Sequence, residues 1–176
     1  MMIGNAYNRK GWTHMRKLLS GILFMFFTTA CFADDAVAHW RQIVGVITAP
    51  GISNPVAGIA SGGLPWRASA GRATVDLTTG EIAFYVEGLV LVGGNSSGTP
   101  DGVTSVKGTL VCNAGSATAQ AIIDTAAVPL DAEGNAEFRG NLASVPPSSC
   151  SNPLFLIRVS PANVWIATGA VRITSQ

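Results

Sequence analysis

Residues 71–87 alternate apolar and polar side chains with a period of two, and a chain with that period cannot bury its apolar positions as a helix. Ala73, Val75 and Leu77 share one face of a strand, and Arg72, Thr74 and Asp76 share the other. Thr78-Thr79-Gly80 supplies a turn, after which Ile82, Phe84 and Val86 alternate with Glu81, Tyr85 and Glu87. The product is an antiparallel hairpin with one dry face. Similar stretches recur at 39–48, 103–112, 117–123, 136–142, 154–159 and 164–173, separated by turn sequences such as Asn113-Ala114-Gly115 and Ser160-Pro161-Ala162-Asn163. Gly88 breaks the phase before Leu89-Val90-Leu91-Val92, which marks a bulge or a bend from one sheet to another. Beyond residue 33 no window carries a 3.6 period. The pattern predicts an all-β fold: an antiparallel β-sandwich or flattened barrel of about eight strands. Two connections, 49–65 and 93–102, are longer than tight turns.

The first 33 residues follow a different rule. Met15-Arg16-Lys17 is basic, residues 18–27 are apolar, and Thr28-Thr29-Ala30-Cys31-Phe32-Ala33 ends with small residues suited to cleavage after Ala33. This is the layout of a secretory signal peptide. Residues 1–14 read as an upstream extension, because Met15 would itself make a start. The apolar run falls short of the roughly 20 residues a membrane span needs. Residues 34–176 are then a single exported β domain, periplasmic or extracellular, with no membrane span after signal removal. A lipoprotein reading, with Cys31 as the anchor, is weakened by Thr28, which stands where an aliphatic residue is wanted.

Cleavage also changes the charge. Four of the eleven cationic residues lie before residue 18, and all ten acidic ones lie at or beyond Asp34, so the domain carries seven positive charges against ten negative. With Lys107 as its one lysine, it has no footprint for nucleic acid and no polybasic cluster for anionic lipid.

Two cysteines remain, Cys112 and Cys150, and an even count in an exported chain predicts a disulfide. Metal and cofactor chemistry has little material: one histidine, His39, and no Cys-x-x-Cys, so no metal site and no cofactor are expected. His39 is not accompanied by a Gly-x-Ser-x-Gly elbow. Asp76, Glu81 and Glu87 read as solvating charges on the wet face of the hairpin rather than as a glycosidase pair. Asp131 and Glu133 read as a hairpin tip rather than a calcium chelate. Trp66, Trp165, Phe84, Phe138 and Phe155 read as core, with an exposed binding aromatic as the alternative for Trp66 after Leu64-Pro65. The most distinctive polar stretch is the 93–102 loop, whose backbone can approach a ligand closely. Its Asn95 and Asp101, helped by Trp66, are the candidate ligand-binding residues. The loop has no Walker lysine, and Asn95-Ser96-Ser97 is a glycosylation sequon.

Two stretches, Gly88 to Asn95 followed by Val106 to Asn113, and Pro153 to Arg158 followed by Trp165 to Ala170, resemble a group of small exported bacterial β-domain proteins of unassigned activity. The hairpin and its Val86-Glu87-Gly88-Leu89 end are similar to chordin-repeat (CHRD-type) domains. That family follows such a strand with a histidine-containing segment, which this chain lacks, so no metal role is carried over. The expected function is non-enzymatic: an exported structural or ligand-binding domain whose partner is an unknown small molecule, glycan or protein. The alternatives are an extracellular hydrolase acting on glycans or esters and a surface-tethered lipoprotein. Intact-mass measurement of the exported product should give a chain beginning at Asp34. A diacylglycerol-modified Cys31 at its N-terminus would establish the lipoprotein instead.

Overall fold

The structure is a computed structural model, and it describes residues 37–173. The signal peptide expected over residues 1–33, with Cys31, lies outside the described residues. Eleven strands follow in order: β1 Val37–Gly45, β2 Trp66–Arg67, β3 Ala70–Asp76, β4 Glu81–Glu87, β5 Val90–Leu91, β6 Ser105–Cys112, β7 Ala121–Asp124, β8 Val128–Pro129, β9 Ala136–Asn141, β10 Leu154–Val159 and β11 Trp165–Ile173. The hairpin forms as its period dictates, with Thr74 opposite Ala83 and Val75 opposite Ile82. Its turn is held by the Asp76 carboxylate, which accepts the N–H groups of Thr78 at 2.7 Å and Thr79 at 2.9 Å. The bonds from Thr79 and Thr78 hold that carboxyl below its ordinary pKa.

Nine strands make one antiparallel sheet in the order β7-β6-β10-β11-β1-β3-β4-β9, with β8 also paired to β6. The sheet is a half-barrel accompanied by the small β2-β5 sheet, which fits the expected antiparallel sandwich or flattened barrel. Its ends are drawn together by the chain itself. The Asp131–Asn135 turn carries it from β8 at one end into β9 at the other, and the Ala143 N–H donates to the Asp124 carbonyl at 2.8 Å. Trp40, Phe84 and Phe155 fill the interior, each at most 3% exposed, with Leu110, Ile157, Ile43 and Val75 around them.

Three local differences from the sequence pattern have physical causes. The strand expected at 117–123 starts only at Ala121. Asn113, at φ 52°, turns the chain, and its side-chain amide donates to the carbonyls of Ala119 and Ser149. Gly88, at φ 60°, ends β4, a conformation that costs little only without a Cβ. Only Val90–Leu91 of the following apolar run is strand, paired with Trp66–Arg67 in a separate two-stranded sheet. The 49–65 connection packs onto the barrel. The Trp165 indole N–H donates to the Asn54 carbonyl at 2.9 Å, and Ile59 is buried.

The disulfide joins Cys112 to Cys150, 38 residues apart, and so ties the end of β6 to the proline-rich segment before β10. Closing a loop of that length is worth about 4 kcal/mol in the chain-entropy account. Beside it, the Asn113 side-chain oxygen accepts the Ser151 N–H at 2.8 Å.

Asp124, at the end of β7, links three strands. Its carboxylate meets Lys107 at 2.7 Å and Arg158 at 3.0 Å, and accepts the Thr109 hydroxyl at 2.7 Å. Burial opposes its charge, but the Lys107 and Thr109 hydrogen bonds and the Arg158 charge outweigh that and hold its pKa below the ordinary value. A carboxylate depressed on folding stabilises above its unfolded pKa of about 4, and the contribution is lost as pH falls through the lower folded value. Asp124→Asn should therefore lower the unfolding free energy by about 2 kcal/mol at pH 7, less than a fully buried pair because the group is partly exposed. The gap from the parent should narrow steadily as denaturation is repeated from pH 5 down to pH 2. A gap that is absent at pH 7, or unchanged at pH 2, would contradict this role.

Candidate functional site

The parity that sends Ala73, Val75, Phe84 and Val86 into the interior sends their neighbours outward, and the sheet register decides which of those neighbours meet. On the outer face His39 of β1 stands opposite Thr74 of β3, Thr74 opposite Ala83 of β4, and Ala83 opposite Arg139 of β9. One step along the strands, Arg72 stands opposite Tyr85 and Tyr85 opposite Glu137. Side chains directly opposite in neighbouring strands are close enough to interact, so each row is a continuous surface across the sheet. Thr74 and Ala83 are short, and the longer side chains flank them.

The result is a groove of about 600 Å³ whose lining includes His39, Arg41, Arg72, Thr74, Tyr85 and Arg139. A second, of about 810 Å³, shares Arg72, Tyr85, Glu137 and Arg139 with the first and runs on to Glu87, Asp131 and Asn135. Both volumes lie in the range of ligand sites.

Arginine dominates the first groove. The Arg72 guanidinium lies 5.1 Å from the centre of the Tyr85 ring, a contact worth about 0.5–1 kcal/mol at an exposed site. Arg139 pairs with Glu137 at 3.0 Å, and both side chains are well exposed, so the pair adds little stability. Among the described residues no carboxylate lies within ion-pair distance of Arg41 or Arg72. His39 Nδ1 and Thr74 Oγ1 are 3.2 Å apart. In the second groove Asp131 is a turn-former. It accepts the N–H groups of Asn135 at 2.7 Å and Glu133 at 3.0 Å, and with the Asn135 backbone bond foremost these hold its carboxyl below the ordinary pKa.

The arrangement offers planar guanidinium donors and a phenol along both grooves, with the imidazole and Arg41 in the first and the extra carboxylates Glu87 and Asp131 in the second. Imidazole and Thr74 hydroxyl touch, but no carboxylate is hydrogen-bonded to His39 to orient it, among the described residues. No group of three or more His, Cys, Asp or Glu side chains is placed to hold a metal ion among the described residues.

Asn95, Asp101 and Trp66 lie away from both grooves. Asn95 and Asp101 are exposed on the 93–102 loop, where the Asp101 carboxylate accepts the Ser96 hydroxyl at 2.7 Å. Trp66 is 6% exposed in β2, opposite Leu91, so its ring belongs to the core. Half of the groove was readable in advance: Arg72, Thr74, Tyr85 and Glu87 are the wet face of the hairpin. His39, Arg41, Glu137 and Arg139 reach it only because β1 and β9 flank that hairpin, a pairing with no local signal. Comparison with family models, with curated proteins and with solved structures finds no match to this chain.

Proposed function

We propose that the chain is an exported, non-enzymatic binding domain, periplasmic or extracellular, which holds its ligand in the groove on the outer face of β1, β3, β4 and β9. The observation that carries this reading is the groove itself: two cross-strand rows of hydrogen-bonding side chains around a short-side-chain centre, on strands rather than on a loop. Sites built on strands hold their side chains in fixed relative positions. The Cys112–Cys150 disulfide fits an oxidising compartment outside the cytosol. A hydrolase would need a base or acid placed against a nucleophile or a second carboxylate and oriented by a third group, and the His39–Thr74 contact supplies only two of those parts.

The test is a glycan and small-molecule array probed with the exported protein, followed by titration of whatever binds. Tyr85→Ala should weaken binding at least tenfold, about 1.4 kcal/mol, with little change in melting temperature. The Asn95→Ala, Asp101→Ala double variant should bind as the parent does. The reverse pattern would place the site on the 93–102 loop, and release of hydrolysis products during titration would make the protein an enzyme.

A further inference from the structure

Resting on that reading of the groove, we propose that its ligand is an acidic saccharide, a chain of hydroxyl-rich rings carrying a carboxylate or sulfate that is received by Arg41 and Arg72. Beyond residue 33 the chain has six arginines and an excess of acidic residues, yet three of the six line one groove. Solubility does not call for that, since scattered charges achieve it. Among the described residues no carboxylate pairs with Arg41 or Arg72, so no described group neutralises either guanidinium. Tyr85 lies beneath the Arg72 guanidinium. A guanidinium held on a ring face keeps its N–H edge free, and that flat fork matches the paired oxygens of a carboxylate or sulfate.

Three carboxylates against two arginines, Arg72 and Arg139, make the second groove a poorer place for a ligand that is anionic throughout. Glu87, Glu137 and Asp131 line it, and they repel further negative charge while accepting hydrogen bonds from hydroxyl groups. One acidic group at the Arg41–Arg72 end, followed by hydroxyls along the carboxylate end, is the chemistry of a sugar acid or a sparsely sulfated sugar. Grooves of about 600 and 810 Å³ that share four lining residues leave room for more than one ring.

Calorimetric titration of the exported protein with three probes tests this: a short oligogalacturonate, a short heparin fragment and a neutral cello-oligosaccharide of similar length. One or both acidic probes should bind at least tenfold more tightly than the neutral one, and more weakly as salt is raised. The pair of arms identifies carboxylate or sulfate as the preferred acid. The Arg41→Gln, Arg72→Gln double variant should lose that preference at least tenfold at an unchanged melting temperature, because both side chains are exposed. Equal binding of the neutral probe, abolished by Tyr85→Ala, would overturn the acidic ligand and leave the groove standing as the site. Acidic binding untouched by the arginine changes would overturn both. Failure of both acidic probes to bind would overturn the proposal.

Discussion

Phe155 sits at the centre of the interior with its ring 5.7 Å from that of Trp40 and 5.4 Å from that of Phe84, and Phe84 is in turn 5.9 Å from Phe138. Strands β10, β1, β4 and β9 are thereby joined through side chains as well as through the sheet. Rings this large fit because neighbouring strands place glycine where a side chain would collide with them. A Cβ on Gly108 would lie 2.7 Å from the Phe84 ring and 3.1 Å from that of Phe155, and one on Gly169 would lie 2.5 Å from the Trp40 ring. Each buried aromatic contributes about 1.5–3 kcal/mol through area removed from water, and tilted ring pairs add about 0.5–1.5 kcal/mol each. The curl of the sheet and the filling of its interior are one feature.

The groove depends on that interior. Phe84 points inward from β4 between Ala83 and Tyr85, and Trp40 points inward from β1 between His39 and Arg41. Fixing the two rings fixes the parity of four of the groove's residues. The outer face is braced elsewhere: Asp124 clamps β7 to β6 and β10, and the disulfide with the Asn113 bonds pins the segment before β10. Neither brace lines the groove, so the two braces and the groove occupy different parts of the sheet.

The sequence showed the hairpin, the all-β class and the cysteine pair, because each follows from a local period or a count of two. It did not show that β9 lies beside β4 and β1 beside β3. Those neighbours are separated by dozens of residues, and a period-two pattern names the face of a strand without naming its partner. For the same reason Asp124, Lys107 and Arg158 could not be read as a cluster. Glycines and polar residues make the 93–102 loop distinctive in sequence, whereas the groove is assembled from ordinary wet-face positions that carry no local signal of a site. Trp66 illustrates the converse. A tryptophan after Leu64-Pro65 could face either way, and its pairing with Leu91 turns it inward.

The packed interior depends on Gly108 leaving the space that Phe84 and Phe155 occupy. Denaturant unfolding of Gly108→Ala measures this directly. A methyl group forced to within 2.7 Å of a ring in a close-packed interior should cost about 1–3 kcal/mol. That cost should exceed any gain from the reduced backbone freedom that alanine brings to the unfolded chain, which is at most about 1 kcal/mol. A lower midpoint with an unchanged slope is the predicted result. A variant as stable as the parent, or more stable, would show that the rings are not packed against this glycine and would contradict the account.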